Sequence, residues 1–439
     1  MKRMRWAGGV ATLAWFIAGP GVGQASAQTS AEVQQQITQL RQEFEALKQQ
    51  YGDRLSALET SLAALQGAPA PPTTPAGAPV SSAPSAQVPP GAEGAGGPTG
   101  ALPVYGNATP ASKVFNPDMA VIGDFLGATG RNSVNPGLAL SMHESEASFQ
   151  AIVDPYARAD FFIAFGEEGV EVEEGFITFP ALPGGLLTKV GKMRAAFGKV
   201  NTMHNHVLPW TDRPLVINNL VNGEEGIGDA GVSVARLIPA GNLFLEATGQ
   251  VFRGDSGDLF QSNQRSDLSY TGHLRAYQDI TDNANIDVGA SYSWGHNASG
   301  VVDGVDLGRF TTDLFGLDAT YRWRPLQRSI YRSFIGRTEW IRSRREQPSG
   351  QQDANGFYVS GDYQFARRWF AGGRYDRSAR AADASLVDNG GSVLLTFWPS
   401  EFSQVRGQYR RTNYADGPAA DEFLFQFLFS IGAHGAHPF

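Results

Sequence analysis

The feature that most constrains this chain is its last segment, Glu422 to Phe439, which reads EFLFQFLFSIGAHGAHPF. Phe423, Phe425, Phe427, Phe429, Ile431 and Ala433 occupy alternate positions, so an extended chain places them on one face, with Gln426 and Ser430 on the other. Glu422 to Gly432 also has the length, about 9 to 11 residues, that a tilted strand needs to cross the hydrocarbon layer. The chain ends on an aromatic, Phe439. One soluble alternative is an edge strand of a sandwich, so the reading depends on whether the rest of the chain supplies partner strands.

It does so only after a long preamble. Lys2, Arg3 and Arg5 open the chain, Trp6 to Ala18 is apolar but too short to span as a mature helix, and Ala25-Ser26-Ala27 fits a cleavage site, so 1–27 reads as a signal peptide. Within 28–66, Val33, Ile37, Leu40, Phe44, Leu47 and Tyr51 keep a 4-3 spacing, which resumes at Leu55, Leu58, Leu62 and Leu65 after a stutter. This is a coiled-coil seam, and self-association is the economical way to cover it. Residues 67–112 hold 11 of the 25 prolines and one charge, Glu93, a composition that makes a disordered tether rather than a core.

Residues 113–439 carry 42 of the 48 aromatics in short alternating runs punctuated by turn residues. The runs fall near 119–125, 144–153, 157–165, 173–179, 187–197, 230–237, 243–252, 268–277, 286–294, 315–323, 333–340, 357–364, 369–376, 392–398, 403–410 and the closing segment, sixteen in all. Connections after even-numbered runs are short and most of those after odd-numbered runs are long, the asymmetry of a transmembrane barrel with short periplasmic turns. The exception is 166–172, a short connection on the long-loop side. The expected fold is therefore an all-β transmembrane barrel of about sixteen antiparallel strands, behind a coiled coil and a linker.

Facing follows from the alternation. Ile286, Val288, Ala290, Tyr292 and Trp294 point outward, as do Phe315, Leu317, Ala319, Tyr321 and Trp323, with interfacial aromatics expected at Trp294, Trp323, Trp340, Trp369, Trp398 and Tyr409. The lumen is then lined by Arg158, Lys192, Arg194, Arg275, Arg322, Arg337, Arg374, Arg406 and Arg410, against Glu146, Asp160, Glu246, Asp287, Asp318, Glu339, Asp362 and Asp376, nine cations and eight anions. That balance predicts no strong ion preference, and so wide a lumen is expected to hold water. Arg374, Arg406 and Arg410 form a ladder with two readings, guidance of an anion or salt bridges with neighbouring acids.

The longest outer connection, Gly198 to Gly228, carries Lys199, His204, His206, Trp210, Asp212, Arg213, Glu224 and Glu225. His204-Asn205-His206 invites a metal reading, but two imidazoles two residues apart need a third ligand that the sequence does not fix. No metal or other cofactor is therefore expected, and His204 and His206 stay weak ligand candidates. Absent G-x-S-x-G, P-loop and H-E-x-x-H motifs, and with no cysteine, the chain is expected not to be an enzyme. A net charge of −8 with no basic run speaks against nucleic acid.

The alternating final strand ending in Phe439 resembles that of Gram-negative outer-membrane β-barrels, in which the terminal Phe is read by the barrel-assembly machinery. Signal peptide, coil, tether and about sixteen strands together resemble the phosphate-selective porin O/P group. Phe115-Asn116-Pro117-Asp118 and Gly432 to Phe439 are similar to related barrels sometimes labelled zinc-regulated TonB-dependent receptors, although 28–112 has no core from which to make a receptor plug. The resemblance implies an outer-membrane homotrimer in the lipid bilayer, its coil in the periplasm, passing small polar or ionic solutes through a pore narrowed by the Gly198 to Gly228 loop. Two alternatives stay open: a receptor or zinc-uptake barrel working with a partner such as TonB, and an envelope tether reaching peptidoglycan through the coil.

Overall fold

In the computed structural model, residues 117–432 are described, apart from 167–168, 299–300, 303–304 and 307–308. The expected signal peptide, coil and linker (1–112) and the terminal Phe439 lie outside the described residues.

The alternating runs form β1 (Asp118–Arg131), β2 (Leu140–Asp154), β3 (Ala157–Gly166), β4 (Gly169–Leu182), β5 (Leu186–Arg194), β6 (Gly228–Ala240), β7 (Leu243–Phe252), β8 (Ser269–Thr281) and β9 (Ala284–His296). After a small hairpin of β10 (Val301–Val302) and β11 (Val305–Asp306) come β12 (Thr311–Trp323), β13 (Ser333–Arg345), β14 (Gln352–Ala366), β15 (Trp369–Ala379), β16 (Val387–Ser400), β17 (Ser403–Asn413) and β18 (Ala420–Gly432). Sixteen of them, all but β10 and β11, pair antiparallel with their neighbours into one closed barrel. Closure is made by β1 on β18, in register from Ala120 opposite Gly432 to Arg131 opposite Asp421. Closure leaves the sheet without an open edge, which lipid requires.

The faces divide as the alternation predicts. On β18, Phe423, Phe425, Phe427, Phe429 and Ile431 are exposed outward, while Glu422, Gln426, Leu428 and Ser430 are buried on the inside. The outer aromatics meet across strands: Phe315 and Trp340 at 6.0 Å, Tyr270 and Trp294 at 5.9 Å, and Trp369 stacked on Phe397 at 4.5 Å. Trp398 departs from the expected girdle. With Leu395 and Phe397 outward, the two-residue period turns it inward, where it is buried.

The strands also run beyond their predicted ends, chiefly toward the long loops. β13 and β14, for example, continue to Arg345 and Gln352, leaving only 346–351 as a connection where a loop from Ile341 to Gly356 is expected. Above the hydrocarbon no apolar stripe is needed, so the ladder continues through polar residues and the alternation signal stops before the hydrogen bonds do. The connection expected at 166–172 is shorter still, β3 running to Gly166 and β4 starting at Gly169. β5 ends three residues earlier than its predicted end at Phe197, because Ala195 and Phe197, both fully buried, belong to a chain segment that leaves the wall and enters the lumen.

That segment changes the expected interior. Phe197, Val200, Leu208, Trp210, Val216, Ile217, Leu220 and Val221 pack with wall residues including Phe252, Leu314, Ile341, Tyr358 and Leu394 into an apolar cluster inside the barrel. Wall side chains alone do not fill a sixteen-stranded lumen, as expected, but a loop supplies the missing volume at mid-height.

Candidate functional site

The inward segment, 195–227, carries near each end a glycine that no other residue could replace without displacement. Gly198 has φ +59° and Gly226 φ +57°, both left-handed; a β-carbon would lie 2.2 Å from Glu339 Oε2 at the first and 2.2 Å from Asn201 Oδ1 at the second. Asn201 closes the base of the loop, its amide donating to the carbonyls of Ala195 and Ile227 at 2.9 and 3.0 Å and its Oδ1 accepting from Ile227 N–H at 2.8 Å. Pro214 opens a one-and-a-half-turn helix, α1 (Leu215–Leu220), which buries Val216, Ile217 and Leu220.

Four sets of polar contacts fasten this loop around the wall. The first is on β9 and β13, where Lys199 pairs with Asp287 at 3.3 Å, Gly198 N–H donates to Ser291 at 2.9 Å and Val200 N–H to Glu339 at 2.8 Å. Asp287 is shared with Arg275 at 2.8 Å and Arg322 at 3.6 Å. A second set lies on β2 and β4, where His204 meets Glu146 at 2.6 Å through Nδ1 and Glu174 at 2.8 Å through Nε2, with a Glu173 oxygen 2.7 Å from Nδ1. His206 Nδ1 is 3.7 Å from Glu146. Burial alone would push the His204 imidazole down, but these carboxylates outweigh it and hold it well above its usual range.

The third set is on β14, β15 and β17. Asp212 accepts from Arg374 at 2.7 Å, Arg410 at 2.8 Å and Gln408 at 2.5 Å; Arg374 also pairs with Asp376 at 2.7 Å and Arg410 with Glu422 at 2.5 Å. Arg406 donates to the Leu208 carbonyl at 3.0 Å. Beside them Trp210, with no exposed surface, meets Tyr358 edge-on at 5.2 Å and lies 4.8 Å from the Arg374 guanidinium. At the outer end, His143 reaches Glu224 at 3.3 Å and Arg194 donates to the Glu224 and Glu225 carbonyls at 2.9 and 3.5 Å. Arg213 points back into its own loop and holds the carbonyls of Val200 and Met203 and the Asn205 amide oxygen.

The arginine ladder read from sequence is thus real but occupied: Arg374, Arg406 and Arg410 hold the loop. Arg337 is likewise paired, with Asp362 at 2.5 Å, and Lys192 with Glu171 at 2.8 Å. Glu146 of β2 brings a carboxylate oxygen within 4.8 Å of the nearest ring nitrogens of His204 and His206, and Glu144, Glu146 and Glu173 converge in the same way beside them. Sequence reasoning left Glu144, Glu173, Glu174 and Lys189 unnamed. The available signal was the density of glutamates just before the apolar stretch Phe176 to Phe179, where 167–174 reads EEGVEVEE. Lys189 lies 4.5 Å over the Phe176 ring on the inner face, opposite the parity assigned to β5.

Two spaces flank the loop. An outer one of about 820 Å³ is lined by Glu144, Glu171, Glu173, Asp212, Glu224, Glu225 and Glu422 with Lys192, Arg194, Arg410 and His143. A smaller one of about 90 Å³ lies against β2 to β9, where Arg158, Lys189, Arg194, Lys199 and Arg275 balance Asp160, Glu174, Glu246, Asp287 and Asp318.

The Asp212 clamp has a defined acid limit. Burial raises its carboxyl, but Arg374 and Arg410 prevail and lower it from 3.8 to about 2. A depressed folded value means that the contribution is complete above 3.8 and lost as pH falls through about 2. Loop-dependent noise in single-channel current is expected to be absent near pH 5 and to grow between about pH 4 and 2, and Asp212→Asn is expected to remove that step.

No family model matches the chain. A protein of Aquifex aeolicus, described as uncharacterized, is 28% identical over 387 residues, spanning 74% of this chain and 81% of that protein. Among solved structures, an anion-selective porin from Comamonas acidovorans superposes with a TM-score of 0.52 at 10% identity, covering 72% of this chain and 99% of that one. OprB of Pseudomonas putida, in a high-pH structure, gives 0.51 at 9% identity over 75% and 97%. At these identities the likeness is one of fold: the closed sixteen-strand barrel is similar to the barrels of these porins.

Proposed function

We propose that this protein is an outer-membrane channel for passive diffusion of small polar or ionic solutes, not an enzyme, with the 195–227 loop setting the width of its pore. The observation that carries this is a loop fastened to strands around a barrel whose outer face is apolar and whose inner face is charged. A loop with only a structural role at the rim needs no such bracing in mid-lumen.

The placement of charge supports a sharper reading than the balanced whole-lumen count. The outer space gathers seven carboxylates against Lys192, Arg194, Arg410 and His143, whose imidazole faces Asp124 and Glu224, whereas the inner one is even. Charge of one sign at a narrow mouth with low-dielectric walls concentrates counter-ions, so the channel favours cations. We read the assembly as a trimer with its heptad seam, 28–66, in the periplasm.

Purified protein in planar bilayers is expected to give steady conductance in steps of three, and in a potassium chloride gradient a reversal potential of the sign for cation preference. Glu224→Gln with Glu225→Gln is expected to move that potential toward zero. Folded protein that stays silent overturns the channel reading, and an anion-selective potential overturns the charge assignment.

A further inference from the structure

We infer that His204 and His206, together with Glu146 and Glu173 of the wall, form a site for a divalent transition-metal cation that locks the loop to β2 and β4. Potential ligand atoms of Glu146, His204 and His206 lie within 4.8 Å of one another, and so do those of Glu144, Glu146 and Glu173. Their observed separations, 2.6 Å from His204 Nδ1 to Glu146, 2.7 Å to Glu173 and 3.7 Å from His206 Nδ1 to Glu146, bracket the ~3.3 Å between neighbouring ligands of a tetrahedral ion with bonds of about 2.0–2.1 Å.

Two observations separate this from an ordinary acidic cluster. The donor set mixes imidazole with carboxylate, which suits zinc-class ions better than calcium or magnesium. In addition Glu144, 94% buried, keeps Oε1 without a hydrogen-bond partner among the described residues while belonging to the same group of converging carboxylates; its Oε2 accepts from Asn205, the residue between the two histidines. Glu144, Glu146, Glu173 and Glu174 bring four carboxylates together, faced by Arg194 at 3.5 Å from Glu173 and by the two histidines. A bound divalent ion supplies positive charge where the wall is richest in negative charge.

The location gives the site a consequence. Its ligands join the loop to the β2–β4 side, while Asp212 clamps the same loop to β15 and β17 on another part of the wall. An ion here strengthens the anchor that His204 already makes to β2 and β4 and quiets the constriction, coupling metal supply outside the cell to permeation.

The test is isothermal titration of Zn²⁺ into chelator-treated, full-length protein in detergent, with folding verified by heat-modifiable gel migration. One saturable site per chain is expected at micromolar Zn²⁺, with millimolar Ca²⁺ and Mg²⁺ failing to compete. His206→Gln and Glu146→Gln are expected to weaken it at least tenfold, and His204→Gln with His206→Gln to abolish it. The remaining nearby pair in sequence, His434 and His437, provides the control, since replacing both with Gln leaves the stoichiometry at one. Absence of saturable binding by folded wild-type protein overturns the proposal, as does binding that survives the His204/His206 double variant. Either result leaves the channel reading to its own conductance test.

Discussion

Trp210→Ala is expected to undock the loop at a cost of about 3–5 kcal/mol while leaving the barrel closed. The indole has no exposed surface, meets Tyr358 edge-on at 5.2 Å and takes the Arg374 guanidinium on its face at 4.8 Å. Removing it empties the centre of the apolar cluster that holds the loop inside the barrel, and the charged wall around the cavity cannot collapse to close it. The strands do not depend on it, because their ladders run from neighbour to neighbour around the barrel. Amide exchange in 208–221 is therefore expected to quicken by about a thousandfold, at about 1.4 kcal/mol per decade, with exchange in β12 to β18 unchanged. In bilayers the same variant is expected to show larger and noisier conductance. Unchanged exchange in 208–221 would mean that the loop is held by its polar contacts alone.

How much of this was legible in the sequence depends on what each residue answers to. Phe423 to Ile431 answers to lipid, which reads only the two-residue period, so the outer face of β18 can be read directly, whereas β5, with few large apolar residues to mark its outer side, was assigned the opposite parity. The ends of the strands answer to backbone hydrogen bonding above the hydrocarbon, where composition carries no stripe, and Arg345 and Gln352 gave no sign that they pair. Trp398 shows that residue type misleads where parity does not: a tryptophan near a strand end suggests a girdle, but its neighbours Leu395 and Phe397 already claim the outer face.

The loop was legible as a loop, by its length and position, but its contacts were not. His204 meets Glu146 across 58 residues and Glu174 across 30, and Asp212 meets Arg410 across 198. Nothing in a single sequence orders such pairs, since the path of 195–227 across the lumen is fixed by apolar packing of Trp210, Ile217 and Leu220. Once that packing places the loop, cations that look available for an anion become its anchors, and a histidine that looks solvated meets three wall carboxylates.

Asp212→Asn is expected to have an effect of the same order by a different route. One carboxylate there neutralises parts of two guanidiniums, Arg374 with 1% of its side chain exposed and Arg410 with 19%, and also takes the Gln408 amide. Breaking a buried pair by removing one partner costs about 3–5 kcal/mol, because the other charge stays where water cannot reach it. The lower end applies, since Asp376 still faces Arg374 and Glu422 still faces Arg410. A loss of about 3 kcal/mol corresponds to roughly a hundredfold faster exchange in 208–221. A double-mutant cycle separates a clamp from general loosening: if Asp212 acts through Arg410, then Arg410→Met added to Asp212→Asn costs less than the two single changes summed, by about 1–3 kcal/mol. Strict additivity would mean that Asp212 does not act through Arg410, leaving Arg374 of β15 and Gln408 of β17 as the partners that hold it.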